Sequence, residues 1–195
     1  MKISSLPAFF IAISASLCTV TGQGIVVPED LPDGVYTASL LPNDELSSST
    51  GSTLLKPIDQ LSPEGKVSRR ERYPLNRRQF NIHHETGCHT SPVRFVDGAT
   101  FQGLRQAVNH DWSTARYTQP NYALYIKHGD AVAYMCCYDA NPCPALASEY
   151  ANAVRAMDTY CPINSAAFVH IPAWGKAYGR EKTGYTICAA QIYPY

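Results

Sequence analysis

Between residues 97 and 192 the hydrophobic positions change period several times, and each change marks an element. Asp97-Gly98-Ala99-Thr100 opens a helix-like stretch in which Phe101, Leu104, Ala107 and Val108 recur at spacings of three, four and seven. Thr100 is the expected N-cap. Residues 121–127 (NYALYIK) and 131–138 (AVAYMCCY) are rich in strand formers, and His128-Gly129-Asp130 between them suits a tight hairpin turn. The turn-forming run DANPCP then leads into a helix over about residues 145–160. Its apolar stripe is Leu146, Tyr150, Val154, Met157 and Cys161, and Pro162 stops it. Residues 167–171 and 185–192 read as further strands. The stretch GKAYGREKTG between them reads as a long, mobile, basic hairpin loop. Short connections and one shared core then give an α+β domain: a mostly antiparallel sheet of about four or five strands with two helices on one face.

Upstream the pattern is different. Met1-Lys2 followed by the short apolar run Leu6–Leu17 and the small-residue stretch Val20-Thr21-Gly22 has the layout of a secretory signal peptide, residues 1–22. A membrane span needs about 20 consecutive apolar residues, more than this run or any later one offers. Residues 23–78 hold six prolines, only two tyrosines, no cysteine and the polar run SSSTGST. Such a segment has little apolar surface to set against its chain entropy, so it reads as a disordered pro-region. It ends in basic pairs, Arg69-Arg70-Glu71-Arg72 and Leu75-Asn76-Arg77-Arg78. Kexin- and furin-type proteases cut behind such pairs, and the position at a compositional boundary selects Arg78, with Arg72 as second choice. The mature protein would start at Gln79.

Residues 79–195 carry eight basic and eight acidic residues, all six histidines and eleven of the thirteen tyrosines. Neither this domain nor the whole chain has the basic surplus of a nucleic-acid binder, and the chain's formal net charge is zero. Cys88, Cys136, Cys137, Cys143, Cys161 and Cys188 remain once Cys18 leaves with the signal. An even count in a small secreted domain reads as three disulfides, with 15 connectivities open. Cys136 and Cys137 point to opposite faces of a strand and so take different partners; bridges from them to Cys161 or Cys188 would tie sheet to helix. The cysteines lack the paired spacing of structural zinc sites, so no metal or cofactor is expected.

No GxSxG elbow is present, and an even cysteine count leaves no thiol for nucleophilic catalysis. His110, His128 and His170 with Glu149 could form an acid–base pair of the kind a small secreted ribonuclease uses, but no spacing gathers them. No catalytic residue is therefore assigned. Tyrosine is abundant enough to suggest recognition as well as core packing. Trp174, Lys176, Tyr178 and Arg180, on the Gly-flanked stretch, are the expected contact residues, and Tyr193-Pro194-Tyr195 is a weaker candidate.

Signal, cysteine-free pro-region, kexin site and six-cysteine domain together resemble fungal small secreted cysteine-rich effectors and host-selective toxins made as proproteins. The order of Cys88, the helix ending at Trp112, the Cys136-Cys137 strand, a second helix and the 185–188 strand is similar to killer-toxin-type α/β sandwich proteins, with different cysteine number and spacing. The resemblance implies a secreted virulence or antagonism factor, matured by a kexin-type protease, that binds a protein or surface component of another organism. The alternatives are a small secreted hydrolase and an antimicrobial or inhibitor domain.

Overall fold

The computed structural model describes residues 24–41, 52–57 and 83–189. The signal peptide, the basic pairs with Arg72, Arg77 and Arg78, and Tyr193 and Tyr195 lie outside the described residues.

The strands are β1 (Ile25–Val26), β2 (Gly34–Ser39), β3 (Ser52–Pro57), β4 (Glu85–Cys88), β5 (Arg116–Thr118), β6 (Tyr122–His128), β7 (Ala131–Cys137), β8 (Cys143–Ala145), β9 (Ala167–Ile171), β10 (Lys176–Lys182) and β11 (Thr186–Ile187). The helices are α1 (Gly98–Asp111) and α2 (Ala147–Tyr160). A seven-stranded antiparallel sheet in the order β3-β2-β6-β7-β10-β9-β4 forms the centre, and β1–β11 and β5–β8 are small pairs beside it. The fold is α+β, mostly antiparallel, with two helices and three disulfides.

Strand alternation builds two apolar faces. Leu124 and Ile126 of β6, Ala133 and Met135 of β7, and Val169 and Ile171 of β9 meet Phe101, Leu104 and Val108 of α1 and Tyr150, Val154 and Met157 of α2 in one cluster. The opposite face carries Tyr125, Tyr134, Cys136, Phe168 and Ala177, packed with Val27, Tyr36, Ala38, Ile187 and Cys188. Both helices therefore lie on one side, and the N-terminal segment and the Cys188 tail cover the other.

Both helices fall close to the expected bounds. The cap of α1 is Asp97 rather than Thr100: its carboxylate accepts from Ala99 N at 2.9 Å and Thr100 N at 3.0 Å, and the Thr100 hydroxyl also donates to it. These bonds, the Thr100 ones above all, hold the Asp97 carboxyl below the usual carboxylate range. All five stripe residues of α2 are buried. The β6–β7 hairpin closes through Gly129, whose φ of 58° suits glycine.

Three expectations need correction. Residues 79–195 supply five strands of the central sheet, β4, β6, β7, β9 and β10, and β2 and β3 add two more from the segment expected to be structureless. Gly24–Leu41 is ordered because Val27, Val35, Tyr36 and Ala38 are buried and β2 finds its ladder partner in β6, a contact composition cannot reveal. The second correction concerns residues 175–184, which form β10 in the middle of the sheet between β7 and β9. No loop of that length is present there. The third concerns residues 185–192, expected as a strand of the sheet: within the described part only Thr186–Ile187 is strand, and it pairs with β1 outside the central sheet, because the turn at 183–185 carries the chain off the end of β10.

Candidate functional site

The expected contact residues are interior. Trp174, Lys176, Tyr178 and Arg180 are 7, 2, 0 and 2% exposed. Burying two cations is tolerable only where they are paired and hydrogen-bonded, and the structure supplies partners for both. Lys176 Nζ donates to Glu149 Oε2 and to the Pro144 carbonyl, each at 2.7 Å, and Tyr178 OH donates to the same carboxylate oxygen at 2.6 Å. Burial, reinforced by Glu149, raises the Tyr178 phenol well above its ordinary range. Arg180 donates through Nε to Ser165 O at 2.7 Å and through Nη1 to Asp158 Oδ1 at 2.5 Å, and lies over the Phe101 ring. These groups tie β10 to α2 and to the connection that follows it. They are fastenings of the core, and no contact with a target is available to them.

On the other side of β10, Glu181 is held by Arg94, with Nε–Oε1 at 3.1 Å and a second bond from Nη2 to Oε2. The Arg94 guanidinium lies 4.7 Å from the Tyr185 ring centre and reaches His89 Nδ1 at 3.0 Å. Burial, and then the Arg94 charge, lowers the His89 pKa, so a neutral imidazole accepts from the cation. Burial raises the Glu181 pKa even though Arg94 opposes it.

The histidines considered for acid–base chemistry are not brought together with Glu149. His110 is on the last turn of α1, His128 is at the hairpin end facing Asp33 at 3.2 Å, and His170 lies on β9 near Glu85 at 3.6 Å. Strand alternation puts His170 on the face turned away from Glu149, with the sheet between them.

All six cysteines of residues 79–195 are paired: Cys88–Cys161, Cys136–Cys188 and Cys137–Cys143. As the strand geometry requires, Cys136 and Cys137 have different partners. Cys136 does pair with Cys188, but on the face away from the helices, so it ties β7 to the C-terminal tail; Cys137 closes a local loop, and the sheet-to-helix tie is made by Cys88 and Cys161, joining β4 to the end of α2. Among the described residues no group of three or more His, Cys, Asp or Glu side chains could hold a metal ion.

Half of the described tyrosines sit in the core: Tyr36, Tyr125, Tyr134, Tyr150 and Tyr178 are buried. Outside the core, Tyr117 on β5 is 64% exposed, and three further exposed apolar side chains make a discontinuous rim along the two segments joined at Phe95 and Ser165. Val93, Tyr160 and Ile163 are 62, 69 and 71% exposed. Tyr160 ends α2 next to Cys161; Ile163 follows in the connection to β9, and Val93 lies in the short 3-10 turn Pro92–Arg94. The two segments are laced together by Val96 N to Asn164 O at 3.1 Å, Ala166 N to Arg94 O at 3.1 Å and a bridge between Phe95 and Ser165. The rim is rigid, since a disulfide and backbone hydrogen bonds fix both segments. In the sequence the one signal, for two of the three residues, is an apolar side chain directly after proline, in Pro92-Val93 and Pro162-Ile163.

No protein-family model matches the chain, and neither a curated protein nor a solved structure matches it. Among the described residues no helix is long and apolar enough to cross a membrane.

Proposed function

We propose that this chain is a secreted, kexin-matured protein of the effector or toxin class that acts by binding a target on another organism. The arrangement of signal, basic pairs and six-cysteine domain supports this reading, and so does a cross-linked fold of the kind oxidising compartments favour. The observation that carries it is the rigid apolar rim of Val93, Tyr160 and Ile163. Three large apolar side chains stand in water on segments fixed by a disulfide and backbone hydrogen bonds, where they are available to a partner. The interior cations explain the fold, whereas the rim has no role in it.

Two measurements test the proposal. Intact mass of secreted protein gives the start of the chain bearing Tyr195: Gln79 is expected, and a single chain starting at Gln23 removes the maturation step. Fluorescently labelled protein is then applied to intact cells of other species. Saturable binding is expected, falling at least tenfold in the Val93→Asp/Ile163→Asp variant while far-UV circular dichroism is unchanged. Equal binding by variant and parent would move the contact surface elsewhere. Single substitution of His110, His128 or His170 should leave binding intact, and an RNA-cleaving activity lost on one of them would replace this reading with the hydrolase.

A further inference from the structure

We propose that the N-terminal segment carrying β1, β2 and β3 is a lasting subunit of the folded protein. Once the chain is cut behind Arg78, this segment stays bound as a non-covalent donor of strands. The cut itself is taken from the reading above; the retention rests on the described residues alone.

β2 is an interior strand of the sheet. Six consecutive pairs, from Gly34↔Lys127 to Ser39↔Tyr122, align it with β6, and β3 pairs along its outer side. Tyr36 stacks on Tyr125 with ring centres 5.3 Å apart and planes 14° apart. Val35 meets the helix-side core and Ala38 the opposite one. Asp33, just before β2, holds the tip of the β6–β7 hairpin: its carboxylate accepts from Gly129 N at 2.9 Å and from Lys127 Nζ at 3.3 Å. Further upstream β1 pairs with β11 through Ile25↔Ile187 and Val26↔Thr186, and Gly184 N donates to Val27 O at 2.7 Å. Contact at Gly24 is so close that a Cβ there would stand 2.4 Å from the Ile187 carbonyl oxygen. Ile187 adjoins Cys188, which the bridge to Cys136 anchors to β7. The segment thus grips the cross-linked domain at two places, the β6 edge and the Cys188 tail.

Residues 24–57 contain no cysteine, so no disulfide holds them, and among the described residues strand pairing, burial and the Asp33 contacts make the attachment. Their loss would leave β6 as an open edge, with Tyr125 stripped of its stacking partner and Lys127 of its carboxylate. An unpaired apolar edge is a site of aggregation, and an added strand is the standard cover for one. A pair of basic residues in the connection therefore divides one fold into two chains without unfolding it.

The test uses purified full-length protein cut in vitro with a dibasic-specific endoprotease, so it gives an answer whether or not the producing cell makes the cut. Size exclusion and native mass spectrometry should show both chains in one species. Denaturant without reductant should separate them. Elution of residues 79–195 without the N-terminal chain, or their precipitation away from it, overturns the proposal. Hydrogen exchange on cut and uncut wild-type protein gives a second reading. Retention predicts protection of the β6 amides within about threefold of the uncut protein, and a hundredfold loss contradicts it. In the cut protein Val35→Asp should increase dissociation at least tenfold, and unchanged retention in that variant would show that β2 does not hold the chains together.

Discussion

Lys176 and Glu149 meet at 2.7 Å with side chains that are 2 and 11% exposed, and the Tyr178 hydroxyl completes the arrangement. Removing one member of such a pair leaves a charge in a medium that solvates it poorly, which costs about 3–5 kcal/mol, whereas replacing both by apolar groups is often neutral. Glu149→Leu should therefore destabilise the oxidised protein by about 3–5 kcal/mol in urea, and adding Lys176→Met should recover most of that loss. If the double variant is no more stable than Glu149→Leu, the pair is not the source of the cost. The buried phenols carry a pH consequence. Burial is the chief cause that raises the Tyr150 and Tyr178 pKa values. In the unfolded chain these groups ionise near the ordinary value of about 10, while in the fold they stay protonated. The folded state then binds more protons above that pH, so stability is full below it and falls as pH rises through it. Unfolding midpoints measured from pH 8 to 11 should decline above pH 10, less steeply in Tyr150→Phe. An equal decline in that variant would clear Tyr150 of the effect.

Cross-strand neighbours on the non-helical face show why β10 sits where it does. Gly179 of β10 lies opposite Tyr134 of β7, and a Cβ added to it would stand 2.2 Å from the tyrosine ring. Gly87 of β4 is related in the same way to Phe168 of β9. In both pairs the missing side chain lets an aromatic ring lie flat across the neighbouring strand. Gly179→Ala should cost about 1–3 kcal/mol by overpacking, and in a Tyr134→Ala background it should cost little. Equal costs in the two backgrounds, read by denaturant unfolding, would mean that the ring is not what the new methyl meets. The same residues explain what could be read in advance. The α2 stripe and the 121–138 hairpin are legible because their burial follows from local period alone. Residues 175–184 carry three glycines and four charges, the composition of a loop. They form a central strand because Glu149, Asp158 and Arg94, from distant elements, and Asp130, from the β6–β7 turn, pair with those four charges. β2 is hidden for a related reason: Val35, Tyr36 and Ala38 alternate correctly, but Pro-rich flanks conceal a strand whose partner is far along the chain. The rim was missed because exposure depends on which surface no other element covers, and no local pattern encodes that.

At the scale of the whole molecule, the three bridges divide the work of restraining the chain very unevenly. Cys88–Cys161 spans 73 residues and fastens one edge strand of the sheet to the end of α2; Cys136–Cys188 spans 52 and ties a central strand to the tail that backs β1. Cys137–Cys143 spans six and closes only the turn between β7 and β8. If a bridge acts mainly by shrinking the unfolded ensemble, its contribution grows with the logarithm of the loop it closes. That dependence gives about 4 kcal/mol for each long bridge and about 2 kcal/mol for the short one. Guanidinium unfolding of the paired alanine variants at neutral pH should therefore rank Cys88→Ala/Cys161→Ala and Cys136→Ala/Cys188→Ala together, well below Cys137→Ala/Cys143→Ala. The Cys88–Cys161 variant has a second effect, because that bridge also fixes the corner bearing Tyr160 and Ile163. Its loss should weaken cell binding under conditions where the protein is still folded, whereas loss of Cys137–Cys143, far along the chain from the rim, should leave binding unchanged. Equal destabilisation by all three pairs would show that native packing around the sulfurs, and not chain restraint, sets their contribution.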